Sequence, residues 1–317
     1  MKVLVSELEV MRSFVSREFY YVMSDLIRHF NWRHIETAKL WHASGTIGER
    51  LMREVGELPE TILFWEGYDF LNVHARDIQN LRSRKIILAD DLHWWHEVQR
   101  QKKAVGFAVC DMVLATGGYL WNELYPEFAG SKQLAWVPHS ASPDFMVPYN
   151  SHPANSIFVS GAAGAFYPLR ERMWILHAQG AQSLVCQSHP GYYTGYDYEQ
   201  HGYVGRSYAM KINNYRAAFT DSSIYKYVVA KYFEIPATGA LLLADDSVGG
   251  PLRQLGFVAH EHYLPVSEEN LEEKIRFVLD ERNHQELDEI RSRAQQLVLE
   301  RHKTFDRAHQ IDTLCAN

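Results

Sequence analysis

Apolar residues fall in short runs separated by amphipathic stretches. In the first half, Val3-Leu4-Val5, Thr61 to Trp65, Lys85 to Ala89, Met112 to Ala115 and Leu134 to Val137 read as strands, and residues 11–30 carry helical periodicity. Such alternation predicts βα units around a parallel sheet. The stretch from Tyr149 to Ser156 is polar, contains Pro153 and has no period, which predicts a linker between a first domain over 1–150 and a second over 151–317. The pattern then restarts with Ile157 to Gly161, a helix over 168–179, Ser183 to Gln187 and a Gly/Tyr-rich loop. Beyond these come Ala217 to Thr220, a helix over 224–235, Ala240 to Ala244, a short strand near Phe257 to Leu264 and a helix over 267–281. A final amphipathic stretch over 284–312 has apolar positions at Leu287, Ile290, Ala294, Leu297, Val298 and Ile311. The fold class predicted is α/β, two Rossmann-like doubly wound domains facing a cleft. In such sheets ligands meet the carboxyl ends of the strands.

Composition narrows the function classes. The chain is 46% apolar and 22% charged, an ordinary globular balance. Its longest apolar stretches fall far short of the roughly 20 residues that cross a bilayer, and no export signal opens it, so a cytoplasmic protein without a membrane span is expected. Three widely spaced cysteines, Cys110, Cys186 and Cys315, predict neither a disulfide framework nor a thiolate metal site. The net charge is −7, with 16 basic against 19 acidic residues up to position 150 and 16 against 20 after it. This balance argues against nucleic acid as the main partner. Oligomeric state is not legible.

Candidate chemistry concentrates at strand ends. The segment from Tyr225 to Asp246 reads as a helix carrying Lys226, Lys231 and Glu234, closed by Pro236 and Gly239 and followed by a buried strand. On that reading Lys226 and Glu234 lie close in direction around the axis. A carboxylate can take two sugar hydroxyls, and lysines offer point charges to phosphate; a plain solvated charge pair is the alternative. Val159 to Arg170 reads as a strand, a loop with Gly161, and a helix opened by Pro168 whose first turn holds Arg170, a setting that suits diphosphate. Gly249 and Gly250 follow a strand as a turn. Tyr192 lies in the Tyr-rich loop, where an aromatic face can stack on a base or sugar. In the first half, Ile86 to Ala89 runs into Asp90-Asp91-Leu92-His93, so Asp91 or His93 is the candidate general base or sugar ligand. Pairs with metal-like spacing, His93 with His96 and His260 with His262, lack a third ligand, so no metal is expected.

The stretch from Lys226 to Asp246, with Leu271 to Leu279 and Arg301 to Ala308, resembles the C-terminal half of family 1 type glycosyltransferases, nearest the CgeB-like subgroup. The resemblance covers about 157–310 and is only architectural before that. It implies a GT-B fold with a terminal helix crossing back to the first domain, and a nucleotide-sugar donor, UDP- or GDP-linked, held by the second domain. It also implies a glycan or other hydroxyl acceptor, transfer in the interdomain cleft, and no need for a cofactor or bound metal. Glu234 matches the second of the family's paired glutamates, which binds ribose; Lys226 stands at the first. Arg170 and a nearby lysine match phosphate-binding positions, and Gly249-Gly250 matches the glycine turn near the donor. His139, after Pro138, resembles the turn at the domain crossover. Other readings of this architecture are an epimerase or phosphorylase, a binding protein without turnover, and a phage-type DNA-base glycosyltransferase.

Overall fold

In the computed structural model, which describes residues 1–316, the chain forms two compact units, each built on its own all-parallel sheet. Within the described residues the first comprises 1–12, 19–138 and 305–316; the second comprises 13–18 and 139–304.

The first sheet has six strands: β1 (Lys2–Ser6), β2 (Arg33–Glu36), β3 (Thr61–Trp65), β4 (Arg84–Ala89), β5 (Met112–Ala115) and β6 (Gln133–Trp136), in the order β2-β1-β3-β4-β5-β6. Its central strands are near-continuous apolar runs because helices cover both faces. Alternate residues divide accordingly. Val3, Val5, Ile62, Phe64, Ile87 and Ala89 enter one core with Phe70, Phe107 and Trp121, while Leu4, Leu63, Ile86, Leu88 and Leu114 enter the other. The second core is completed by Ala308, Ile311 and Cys315 of the terminal helix Thr304–Ala316. That helix is fixed by Asp312, which accepts from Trp32 Nε1 at 2.6 Å and pairs with Lys2. The last helix therefore does return to the first unit.

The second sheet contains β7 (Ala154–Ser160), β8 (Leu184–Gln187), β9 (Tyr215–Thr220), β10 (Leu241–Asp245) and β11 (Leu264–Val266), ordered β11-β10-β9-β7-β8. Ile157, Val159, Ala217, Phe219, Leu241 and Leu243 form its core with Leu287 and Ile290 of the helix His284–Arg301.

Several expected elements differ. The helix read over 11–30 is two, Leu8–Arg12 and Glu18–His29, because Ser13–Glu18 packs with the second unit. The stretch 284–312 breaks at His302, whose imidazole meets the Leu255 carbonyl at 2.9 Å. Ala154–Ser156, read as linker, opens β7. The strand expected near Phe257 is a set of turns, with Glu261 and His262 both donating to the Val258 carbonyl, and pairing starts only at Leu264. Lys226 is not helical. Its φ is 57°, and Tyr227 and Lys226 donate to the carbonyls of Ser222 and Ser223, so serine-anchored turns delay the helix to Lys231–Ala237. The shared helical face of Lys226 and Glu234 is thereby overturned. Among the described residues no helix is long and apolar enough to cross a membrane.

Candidate functional site

At the carboxyl end of β7 the chain turns through Gly161, whose φ of 115° disfavours a side chain. A Cβ there would stand 2.9 Å from Arg170 Nη1 and 3.5 Å from Lys231 Nζ. The structure thus brings Gly161, Arg170 and Lys231 together, and Glu234 follows one turn after Lys231 in the same short helix.

These groups are not equivalent. Arg170 is 3% exposed and already engaged: Nη2 pairs with Asp221 at 2.8 Å and Nη1 donates to the Ala162 carbonyl at 2.6 Å. Its backbone amide also donates to Asp221, at 3.1 Å. Arg170 therefore shapes the loop and lends it positive potential. Lys231 and Glu234 differ, for neither side chain makes a hydrogen bond or close ion pair with a described residue. Burial and the Arg170 guanidinium lower the Lys231 ammonium, offset in part by Glu234 and Asp221. Burial raises the Glu234 carboxyl, Lys231 opposing it, while Glu18 and Asp144 add to the rise and His139 lowers it. Glu234 is only 7% exposed. A buried carboxylate and an ammonium held apart are positioned for outside partners.

The surrounding shell is tied by hydrogen bonds and ring contacts. Arg17 clasps Asp144 with bonds of 2.6 and 3.1 Å and lies 3.7 Å from the centre of the Tyr198 ring. Glu18 meets His139 Nδ1 at 2.8 Å and accepts from the Ser140 amide and hydroxyl. His139 is thus a tie between segments. Tyr192 is exposed and stacks on His189, ring centres 4.3 Å apart. His189 Nδ1 accepts from the Gly191 amide. Burial and then the charges of Lys231 and Arg170 push its pKa down to about 4. The ring is therefore neutral at pH 7 with its proton on Nε2. Gly249 and Gly250 open the helix Gly249–Gln254; a Cβ on Gly250 meets open space, and Gly249 has ordinary helical φ, so neither position demands glycine.

In the first unit Asp91 and His93 do lie together, Oδ1 to Nδ1 3.7 Å, in the loop after β4. Lys103, only 5% exposed, holds that loop by donating to the carbonyls of Asp91 and His93. Burial lowers the His93 pKa, Asp91 partly restoring it. Glu66, just past β3, was not anticipated. It takes φ 54°, rare for a side chain other than glycine. Burial, then Asp90, raise its carboxyl, opposed by Lys103. Its sequence signal was the Glu-Gly pair closing an apolar run.

Residues 170–313 match the family described as Glycosyl transferase-like. No curated protein matches the chain. Among solved structures the fold is shared with Anabaena HepE in complex with UDP and glucose (TM-score 0.64, 11% identity, 100% of each chain covered). It is shared equally with an alpha-glucosyltransferase in complex with UDP-glucose and DNA containing an abasic site (TM-score 0.64, 11% identity, 100% of this chain and 99% of that one). The pneumococcal O-GlcNAc transferase GtfA, in complex with UDP and GlcNAc, is also similar (TM-score 0.54, 10% identity, 85% of this chain), and this chain spans 59% of its length. Two parallel Rossmann-like sheets of this kind make a GT-B fold, and residues 170–313 resemble the Glycosyl transferase-like family.

Proposed function

We propose that the protein is a glycosyltransferase that takes a sugar from a nucleotide diphosphate donor, with UDP as the carrier, and passes it to an acceptor hydroxyl. One observation carries this reading: Lys231 stands beside the glycine turn after β7, and Glu234, only 7% exposed, follows it one turn later on the same helix. Glu234 accepts from the two ribose hydroxyls, and Lys231 faces the diphosphate across Gly161, where the missing side chain lets phosphate approach the backbone. Arg170 acts mainly through the loop carbonyl and Asp221. Tyr192 and His189 offer a stacked face and an Nε2–H for the base. Charge builds on the leaving phosphate during transfer, so a prearranged ammonium there lowers the barrier more than it tightens ground-state binding. Asp91 and His93 are the groups assigned to the acceptor hydroxyl. That UDP accompanies HepE and the alpha-glucosyltransferase supports uridine as the base.

Calorimetric titration of UDP, GDP and UDP-glucose into wild type and Glu234→Gln tests this reading. UDP binding that Glu234→Gln weakens at least tenfold is expected. Equal affinity of the two proteins for UDP removes Glu234 from the donor site.

A further inference from the structure

The first unit holds a cavity of about 310 Å³ between the amino ends of the helices Tyr68–Val73 and Glu97–Val109. These helices follow β3 and β4, so the cavity opens where parallel sheets present ligands. Its size is at the lower end for small-molecule sites, about 300–1,000 Å³. Trp95 lines it yet is 62% exposed, a large aromatic surface left in water.

The polar groups around Trp95 point to hydroxyls. The Gln99 carbonyl accepts from the Trp95 amide at 2.8 Å, leaving its NH2 without a partner among the described residues. His96 Nδ1 accepts from the Gln99 amide at 3.2 Å, which leaves Nε2 as the ring nitrogen that donates. The Asp69 carboxylate keeps acceptor capacity beside its one bond from Lys102 at 2.6 Å. The Tyr68 hydroxyl is buried with no hydrogen-bond partner. The cations, in contrast, are offset: Lys102 pairs with Asp69, and Lys103, held on the carbonyls of Asp91 and His93, stands among the carboxylates of Glu66, Asp91 and Asp90. A phosphate would bring its charge to a cavity whose ammonium groups already face carboxylates.

We infer that this cavity is the acceptor subsite and that it takes a neutral saccharide ring, stacked on Trp95 with its hydroxyls bound by Gln99, His96 and Asp69. The inference rests on the transferase reading and names its acceptor class. The C–H face of a pyranose suits the indole, and the His93 ring stands edge-on to Trp95 at 5.5 Å, so a hydroxyl at the rim lies near the Asp91–His93 pair.

The test titrates the full chain, with 15N-labelled tryptophan, against glucose, galactose, mannose, N-acetylglucosamine, maltose, cellobiose and glucose 6-phosphate. Trp95→Phe assigns the Trp95 indole resonance. Saturable movement of that resonance by at least one neutral sugar is expected, weakened fivefold or more by Gln99→Ala, with glucose 6-phosphate binding no better than glucose. Absence of any shift at Trp95 with every neutral sugar, or preference for the phosphorylated sugar, overturns the inference. UDP calorimetry on the same sample separates the two readings. UDP binding without sugar binding sinks only the saccharide pocket, whereas sugar binding without UDP binding keeps the pocket and sinks the transferase.

Discussion

Lys231 and Glu234 lie one turn apart in a short, largely buried helix, attract each other through space, and yet close no ion pair. An ordinary helix would let such residues pair at the surface. Here the arrangement costs stability, because a carboxylate taken out of water without hydrogen bonds is destabilising. Binding a ligand that supplies those bonds recovers the cost.

Glu234→Gln is therefore expected to stabilise the free protein while weakening UDP binding. A carboxyl raised in the folded state binds its proton more tightly there than in the unfolded chain, so stability declines as pH rises above the ordinary glutamate range. The gain from Glu234→Gln should be on the order of 1–3 kcal/mol above neutral pH and vanish below pH 4. Denaturant melts at pH 4 and pH 8 check it; a gain equal at both would place the effect elsewhere.

If Glu234 holds the ribose as proposed, UDP affinity should rise with pH as the carboxyl ionises, because ribose hydroxyls would donate to the carboxylate. His189, already held neutral down to about pH 4, adds no step between pH 5 and 8. Calorimetry with UDP-glucose, which has no terminal phosphate proton to lose in that range, should give a rise that is absent from Glu234→Gln, followed toward pH 8 by a fall as Lys231, its pKa lowered to about 8, loses its charge. A rise that survives in Glu234→Gln would assign it to another group.

Gly161→Ala combines a left-handed backbone with a methyl group 2.9 Å from Arg170 Nη1. Strain of about 1–3 kcal/mol is expected, together with a more than tenfold rise in donor KM as the loop moves off Lys231. Thermal denaturation and donor titration read the two effects; a variant with unchanged KM would separate the turn from the donor.

What the sequence made legible follows from burial. β3 and β5 were read to the residue because Thr61-Ile-Leu-Phe-Trp65 and Met112-Val-Leu-Ala115 are apolar on both faces. β2 was missed, since in Arg33-His-Ile-Glu only Ile35 is buried and an edge strand carries little pattern. The helix at Lys226 failed for a different reason: apolar spacing continued through 225–230, but Ser222 and Ser223 bind the backbone in turns that compete with helix. Glu234 stands out in the sequence through its helix and the family resemblance. Glu66 and Lys103 do not, because the Glu-Gly pair after β3 reads as an ordinary turn and a buried lysine has no signature in spacing.

Arg170 and Asp221, 3% and 1% exposed, make a buried pair whose one-sided loss strands a charge. Arg170→Met should cost about 3–5 kcal/mol, and Arg170→Met with Asp221→Asn should recover most of it. Chemical denaturation of the single and double variants checks the coupling. If the double variant also regains donor KM, Arg170 serves the site through the loop; if donor KM stays raised, the guanidinium touches phosphate itself.

Lys103 offers the matching test in the first unit. Its ammonium is almost fully enclosed and donates to the carbonyls of Asp91 and His93, so Lys103→Met leaves two carbonyls short of donors and frees the loop. It also removes the cation that holds down the Glu66 carboxyl, which should then titrate higher. A stability loss of about 1–3 kcal/mol is expected, with kcat falling at least tenfold while UDP affinity, which we assign to the second unit, stays the same. The pH dependence of kcat should change shape as well, because His93 and Asp91 no longer keep their separation. Calorimetry against UDP and a pH–rate profile for Lys103→Met measure both. A variant that loses stability but keeps the wild-type profile would make Lys103 a support for the loop with no part in aligning the pair.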